Sequence, residues 1–144
     1  MDIKFSVALH AMVMISESED VMTSEKIAKS VQTNASYIRK IMSSLKKSEL
    51  IKSSQGVTGI KLAKSKEQIT LFDIYSSVQQ TEWVTLFDIH QNSREECPVG
   101  KYIEKTLSPT FYDIEKEIVD RLKEDTLANL IIRMKERKKE ESEK

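Results

Sequence analysis

The sequence predicts a mainly α-helical protein with a small β-wing, in which a winged helix-turn-helix domain is followed by a long C-terminal dimerisation helix. Three observations predict this class. Only 3 glycines and 2 prolines interrupt long stretches of helical periodicity. Two short amphipathic helical segments precede a glycine-bounded basic hairpin between Thr23 and Ala63. Apolar residues then recur every three or four positions from Pro98 onward.

The composition excludes several classes of protein. The chain has 144 residues and no net charge, and no apolar run reaches the length of a membrane span. The N-terminus also lacks the apolar core of a signal peptide. We therefore expect a cytoplasmic protein with no membrane partner.

Few groups are available for catalysis or metal binding. One cysteine, Cys97, and two histidines exclude an internal disulfide and a metal site built from several cysteines of one chain. We find no glycine-rich phosphate loop and no pairing of a nucleophile with a histidine. The sequence therefore predicts no metal, no cofactor and no enzymatic activity.

Residues 23 to 47 have the spacing of a helix-turn-helix. The hydroxyl pair Thr23 and Ser24 can cap a helix that ends near Val31, and Asn34 or Thr33 can cap a second helix over about residues 35 to 47. The inward face of the second helix carries Ile38, Ile41, Met42 and Leu45. Its outward face combines cations with small hydroxyls, which suits a helix that lies in a major groove. We expect Arg39 and Lys40 to contact phosphate or guanine, and Ser36 and Ser43 to lie near bases or backbone.

A basic hairpin follows directly. Strands are predicted over residues 50 to 54 and 60 to 63, with a glycine-containing turn between them, and Val21 with Met22 can supply a small third strand. The DNA-binding residues predicted in this wing are Gln55, Gly56, Thr58 and Lys61. The segment from residue 39 to residue 66 holds one acid, Glu49, and eight cations, namely Arg39, Lys40, Lys46, Lys47, Lys52, Lys61, Lys64 and Lys66. This local excess favours double-stranded DNA as the partner.

Two other interpretations stay open. The lysines can be a solvated face on a generic pair of helices, and the winged helix can instead be a protein-interaction module that works together with the helical arm. Salt dependence distinguishes DNA binding from protein interaction, because DNA binding weakens steeply with salt and a largely apolar protein contact does not.

The chain divides into three predicted regions: a DNA-binding domain over residues 1–80, a loop and possible sensing region over residues 81–97, and a helical arm with a C-terminal helix over residues 98–144. The loop has apolar anchors, which can line a ligand site or simply cover the core. Thr70 is the expected cap of the helix before the loop, and Thr126 the cap of the final helix. We expect that final helix to pack back through Leu127, Leu130, Ile131 and Met134.

The arm carries a predicted dimer seam. Its apolar stripe includes Ile103, Leu107, Phe111, Ile114 and Ile118. Pro109 removes an amide donor and clashes with the preceding turn. We therefore expect a kink or a break there, with Ser108 as a new cap.

The sequence resembles the Rrf-two family of bacterial winged-helix transcription regulators, which includes IscR, NsrR and CymR. The resemblance covers nearly the whole chain and rests on FSVALH from Phe5, YIRKI from Tyr37, LKK from Leu45, the wing, ITLFDI from Ile69 and TLANL from Thr126. It implies a homodimer whose long helices pair, with recognition helices in successive major grooves. We expect a repressor rather than an activator.

Two departures distinguish this chain from the family pattern. Cluster-binding members use three cysteines in the region that corresponds to residues 91 to 103, and this chain keeps only Cys97. One thiolate per subunit cannot hold a conventional iron–sulfur cluster there, so the chain resembles the cluster-free, YwnA-like branch. The family's wing arginine, followed by a glycine-rich turn, is replaced by Gln55 and its neighbours, which implies a changed minor-groove contact.

Cys97 has two interpretations. It precedes Pro98 at an expected helix N-terminus, where the helix dipole favours a thiolate, while Glu95 and Glu96 oppose it. It is either a one-thiol redox switch or a partly buried residue that only packs.

Overall fold

The computed structural model describes residues 2–53 and 59–143. These residues form helices α1 Lys4–Glu17, α2 Ser24–Val31, α3 Ala35–Lys47, α4 Leu71–Gln79, α5 Pro98–Glu124 and α6 Leu127–Ser142, with strands β1 Ile51–Ser53 and β2 Ile60–Leu62. The strands form one antiparallel two-stranded sheet. A mainly helical chain with a small β-wing is the fold class that the sequence predicts. No helix in the described part is long and apolar enough to cross a membrane.

The backbone divides into two compact units. The first comprises Met1–Thr81 together with Leu122–Lys144, and the second comprises Glu82–Arg121. The predicted division at residues 80 and 97 concerns function rather than compactness, and it stays a prediction.

The first unit has one apolar core, built from α1 to α4, the wing and α6. Its largest fully buried side chains are Met12, Ile27, Ile38, Leu45, Ile69, Ile74, Leu127 and Ile131. Each such side chain contributes about 1.5–3 kcal/mol by leaving water. The predicted inward stripe of α3 belongs to this core, because all four of its residues are buried, and that burial leaves the opposite face of α3 exposed.

Side-chain caps fix where α2, α3, α4 and α6 begin. The Thr23 hydroxyl accepts a hydrogen bond from the Lys26 amide at 3.2 Å, and Asn34 Oδ1 accepts one from the Tyr37 amide at 2.8 Å. Asn34, rather than Thr33, is therefore the cap of α3. Thr70 forms a capping box that starts α4. The hydroxyl of Thr126 caps α6, as predicted.

Gly59 anchors the returning strand of the wing. Its φ is +68°, and an added Cβ would lie 2.3 Å from the Met22 carbonyl oxygen, so only glycine fits. The Ile60 amide donates to that same carbonyl at 2.9 Å. The predicted third strand is reduced to a single parallel bridge between Met22 and Gly59.

Helix α5 runs without a break through Pro109. Of the predicted kink or break, the break is therefore wrong, as is the new cap at Ser108, while the kink stays a prediction. A proline in a helix removes one backbone hydrogen bond, here the bond to the Lys105 carbonyl. On each side of Pro109, a threonine hydroxyl adds a bond to the carbonyl four residues earlier, from Thr106 at 2.8 Å and from Thr110 at 2.9 Å. The long helix therefore stays continuous although one backbone hydrogen bond is missing at Pro109.

The second unit holds its loop against α5 through one buried carboxylate. Glu115 accepts hydrogen bonds from Trp83 Nε1 at 3.1 Å and from the Leu86 amide at 2.7 Å. These donors lower the pKa of Glu115, the Leu86 amide most of all. The Trp83 ring stacks on Tyr112 with centroids 4.8 Å apart. The apolar anchors of the loop therefore pack on the arm.

Helix α6 buries apolar residues of its first two turns in the core of the first unit. Leu127 and Ile131 are buried, as expected, Leu130 is half-buried, and Met134 is 40% exposed. Arg133 donates to both carboxylate oxygens of buried Asp125, at 3.2 and 2.8 Å. This bidentate pair holds α6 against the turn from which it starts.

Candidate DNA-binding surface

The outer face of α3 presents the four residues that were predicted from its sequence. Ser36, Arg39, Lys40 and Ser43 are all exposed, because they alternate with the buried stripe of the same helix. They follow one another at steps of one or three residues, so they spread across the solvent-facing side of the helix. Cations among small hydroxyls can bind phosphates and approach base edges.

Arg39 has an acidic neighbour that the sequence did not reveal. Its Nη1 lies 3.3 Å from Glu25 Oε1 on α2, with side chains that are 58% and 70% exposed. Exposed ion pairs of this kind contribute little to stability. A DNA phosphate can therefore replace Glu25 at small cost. The helix-turn-helix crossing brings Glu25 to Arg39, and no local sequence pattern reports a contact between residues fourteen positions apart.

The wing adds cations beside α3. Lys46 Nζ lies 3.0 Å from the Ser53 hydroxyl, which ties the recognition helix to β1. Lys52 and Lys61 are direct partners across the two strands, and both are exposed. Like charges directly opposite each other destabilise a hairpin. A bound polyanion would relieve that repulsion.

The other predicted wing residues, Gln55, Gly56 and Thr58, lie outside the described residues. Of the wing predictions, the structure therefore positions Lys61 alone. Lys52 and Lys46 appear in the sequence as part of a charge run, and the strand register is needed to see that both lie beside Lys61 and α3.

Cys97 belongs to the second unit and lies immediately before α5. The thiol is free and exposed, so a purely packed role does not describe it. Hydrogen bonds from the backbone amides of Gly100 and then Val99 lower the pKa of the Cys97 thiol, in the direction expected at a helix N-terminus. Its use as a redox switch stays a hypothesis.

No group of three or more metal-binding side chains occurs among the described residues. His10 lies 2.9 Å from the Ser30 hydroxyl and links α1 to α2. The exposed cations and hydroxyls of α3 can bind a ligand through charge and hydrogen bonds.

Comparison with known proteins decides what kind of binding this is. The sequence profile of the Rrf2 family, described as "Iron-dependent Transcriptional regulator", matches residues 1–133. The chain belongs to the Rrf2 family. This is the Rrf-two family that its sequence resembles, and its members are DNA-binding transcription regulators with the winged helix-turn-helix described above.

Relatives and solved structures agree with this assignment. The chain is 36% identical over 128 residues to YwnA of Bacillus subtilis (strain 168), named "Putative HTH-type transcriptional regulator", covering 89% of this chain and 94% of YwnA. It is 33% identical to a solved structure described as a "putative DNA binding protein", with a TM-score of 0.72 and coverage of 89% and 98%. CymR of Bacillus subtilis, at 19% identity and a TM-score of 0.66, covers 91% of this chain and 95% of its own, and shares the fold.

Proposed function

We propose that this Rrf2 protein is a homodimeric repressor that acts in the cytoplasm, binds double-stranded DNA through α3 and the wing, and carries no iron–sulfur cluster. The observation that carries the proposal is the exposed basic face of α3, continued by the lysine pair of the wing. Arg39 and Lys40 contact phosphate or guanine, Ser36 and Ser43 approach bases or backbone, and Lys61 binds from the wing.

The dimer is supported by the apolar surface of α5. Ile114 is 40% exposed, and Val99 and Tyr102 are 67% and 55% exposed, while Ile103, Leu107, Phe111 and Ile118 are half-buried. Apolar side chains at helical spacing on a helix about 40 Å long form a natural seam for a second copy. Pairing would bury them and present two recognition helices at once.

Repression is the role that we propose for this dimer. Two recognition helices in successive major grooves cover half-sites about 34 Å apart. A dimer seated over a promoter in this way excludes other proteins from the same DNA.

The donor atoms do not fit the iron suggested by the family's description. A cluster in a protein is held by several thiolates, and this chain supplies one, Cys97, with two histidines elsewhere. In the part of the chain that the structure describes, no three or more metal-binding side chains form a group. The proposed function therefore contains no step that uses iron.

The experiment measures binding of the purified protein to its own upstream DNA at several salt concentrations, together with its mass in solution. We expect a dimer that binds DNA tightly and whose affinity falls steeply with salt. Each phosphate contact should contribute about 0.9 to the slope of log affinity against log salt concentration. A monomer that binds no duplex at any salt, including duplexes selected from random sequence, would favour the protein-interaction module.

A further inference from the structure

A polar cleft opens beside α3 in the first unit. It lies between the start of α1, the middle of α3 and the end of α4, and its volume is about 420 Å³. Lys4, Lys40, Ser43 and Gln80 form its polar rim, and all four are exposed. None of the described residues that line the cleft is acidic. The rim therefore combines two positive charges with neutral hydrogen-bonding groups.

The cleft and the wing lie along opposite edges of α3. Successive residues are about 100° apart around a helix of 3.6 residues per turn, so Arg39 and Lys40 point in different directions. Arg39 reaches Glu25 on α2. Lys46, seven positions later, returns to nearly the same angle and reaches Ser53 on β1. That edge faces α2 and the wing, while Lys40 on the other edge faces the cleft.

DNA has phosphates on both sides of a helix in the major groove. The groove is about 12 Å wide, and a helix with its side chains is about 10–12 Å across, so each edge of the helix approaches one phosphate wall. The wing edge supplies cations to one wall. The cleft is the basic, polar surface that meets the other wall.

We propose that this cleft binds a backbone phosphate on the DNA strand opposite the wing, with Lys4 and Lys40 supplying the charge. The Ser43 hydroxyl and the Gln80 side-chain amide donate hydrogen bonds to the phosphate oxygens. The inference rests on the proposed placement of α3 in the major groove, and it extends the DNA contact to α1, which lies outside the helix-turn-helix and the wing.

Hydrogen bonds hold the three walls of the cleft in place. Asp2 Oδ1 accepts from the Lys4 amide at 2.9 Å and from Gln79 Nε2 at 3.2 Å, which joins the start of α1 to the end of α4. The Ser77 hydroxyl donates to the Ser44 carbonyl at 2.9 Å, which joins α4 to α3. Lys4 is thus positioned relative to the recognition helix before DNA arrives. Such preorganisation lowers the ordering cost of binding.

Substitution of Lys4 tests the cleft with a matched control. Lys4→Gln and Lys138→Gln remove the same charge from exposed helical positions, and Lys138 lies on α6 away from the cleft lining. Affinity is measured on the upstream DNA and on an unrelated duplex of equal length, at several salt concentrations. Lys4→Gln should weaken binding to both duplexes and reduce the salt slope by about 0.9. Lys138→Gln should bind as wild type does.

Neutral methylphosphonate groups, placed one at a time in the duplex, identify the ligand. One position on the strand opposite the wing should weaken wild-type binding but leave Lys4→Gln unaffected, because the contact is already lost. If no position behaves in this way and added inorganic phosphate alone shifts the Lys4 NMR signal, a free anion occupies the cleft and the proposal is overturned.

The outcomes separate this inference from the proposed function. Equal affinities for Lys4→Gln and Lys138→Gln, while wild type still binds DNA, overturn the cleft contact alone. Failure of wild type to bind any duplex overturns the proposed function, and the cleft contact with it. Circular dichroism of both variants verifies that α1 is intact.

Discussion

Helices α3 and α5 are both amphipathic, but they use their apolar faces differently. The apolar stripe of α3 is buried in the core of the first unit, and its polar face is exposed. Helix α5 buries only Glu115 and Val119 in the single chain, and it leaves apolar residues such as Ile114 at its surface. An amphipathic helix whose apolar face is satisfied offers its polar face for function, whereas one with an exposed apolar face calls for a partner.

Truncating each helix should separate the two roles. Leu45→Ala removes a side chain that is 0% exposed and should lower the free energy of unfolding by about 2–5 kcal/mol. Ile114→Ala should have little effect on an isolated protomer, because its side chain is at the surface. In the proposed dimer it should lower the Tm in a way that depends on protein concentration. Thermal unfolding at two concentrations measures both effects, and a concentration-independent loss for Ile114→Ala would contradict the seam.

Acid should affect the first unit through Glu17, which joins α1 to α6. Its carboxylate lies 2.8 Å from Lys135 Nζ and 3.3 Å from Lys66 Nζ. Hydrogen bonds from Lys135, then the Ser16 hydroxyl, then Lys66 lower its pKa from 4.5 to about 2. Because the folded-state pKa is depressed, the stabilisation is complete above pH 4.5 and is lost as pH falls toward 2. The shift corresponds to at most about 3 kcal/mol.

Comparing Glu17→Gln with Lys116→Gln checks that link. Lys116 pairs with Asp120 on the surface of α5, where both side chains are about half exposed, so we expect no measurable change in Tm from its substitution. Denaturant unfolding between pH 2 and pH 7 should show a smaller pH dependence for Glu17→Gln than for wild type. Identical pH profiles for Glu17→Gln and wild type would contradict the assigned role of Glu17.

On the recognition helix, Glu25 and Arg39 should have opposite effects on DNA binding. Arg39→Ala should cost about 1–3 kcal/mol at one base position if Arg39 reads a base. Glu25→Gln should tighten binding, because it releases Arg39 and removes a negative charge from the DNA-facing side. Titration of both variants on the same duplex measures the difference, and weaker binding by Glu25→Gln would show that Glu25 positions Arg39 instead.

The smallest expected effect concerns Cys97. Because the amides of Gly100 and Val99 lower the pKa of its thiol, alkylation should reach its half-maximal rate at a lower pH than alkylation of a free cysteine. Iodoacetamide labelling across a pH series measures this midpoint. The redox hypothesis adds that oxidant releases DNA from wild type but not from Cys97→Ser, and equal release from both would exclude the switch.

Local patterns were sufficient for most of the first unit. The caps at Thr23, Asn34, Thr70 and Thr126 were predictable because capping depends on a few neighbouring residues. The buried stripe of α3 was predictable for the same reason, since helical periodicity is local.

Features that depend on distant contacts were not predictable from local patterns. A break was predicted at Pro109 because proline removes one backbone hydrogen bond. The other hydrogen bonds of the 27-residue helix keep α5 continuous there. The Arg39–Glu25 pair and the cleft beside Lys40 depend on how helices cross, which spacing along the chain does not encode. Met134 fits the periodicity of α6 and is nonetheless exposed, because the apolar stripe extends beyond the core that it packs on.

The most direct test of the central claim, that the outer face of α3 grips DNA, is the affinity of the Arg39→Ala/Lys40→Ala double variant for the upstream duplex. Fluorescence anisotropy at several salt concentrations should show weaker binding and a shallower salt slope than wild type, with an unchanged circular dichroism spectrum. Affinity and slope equal to those of wild type would contradict the placement of α3 on DNA.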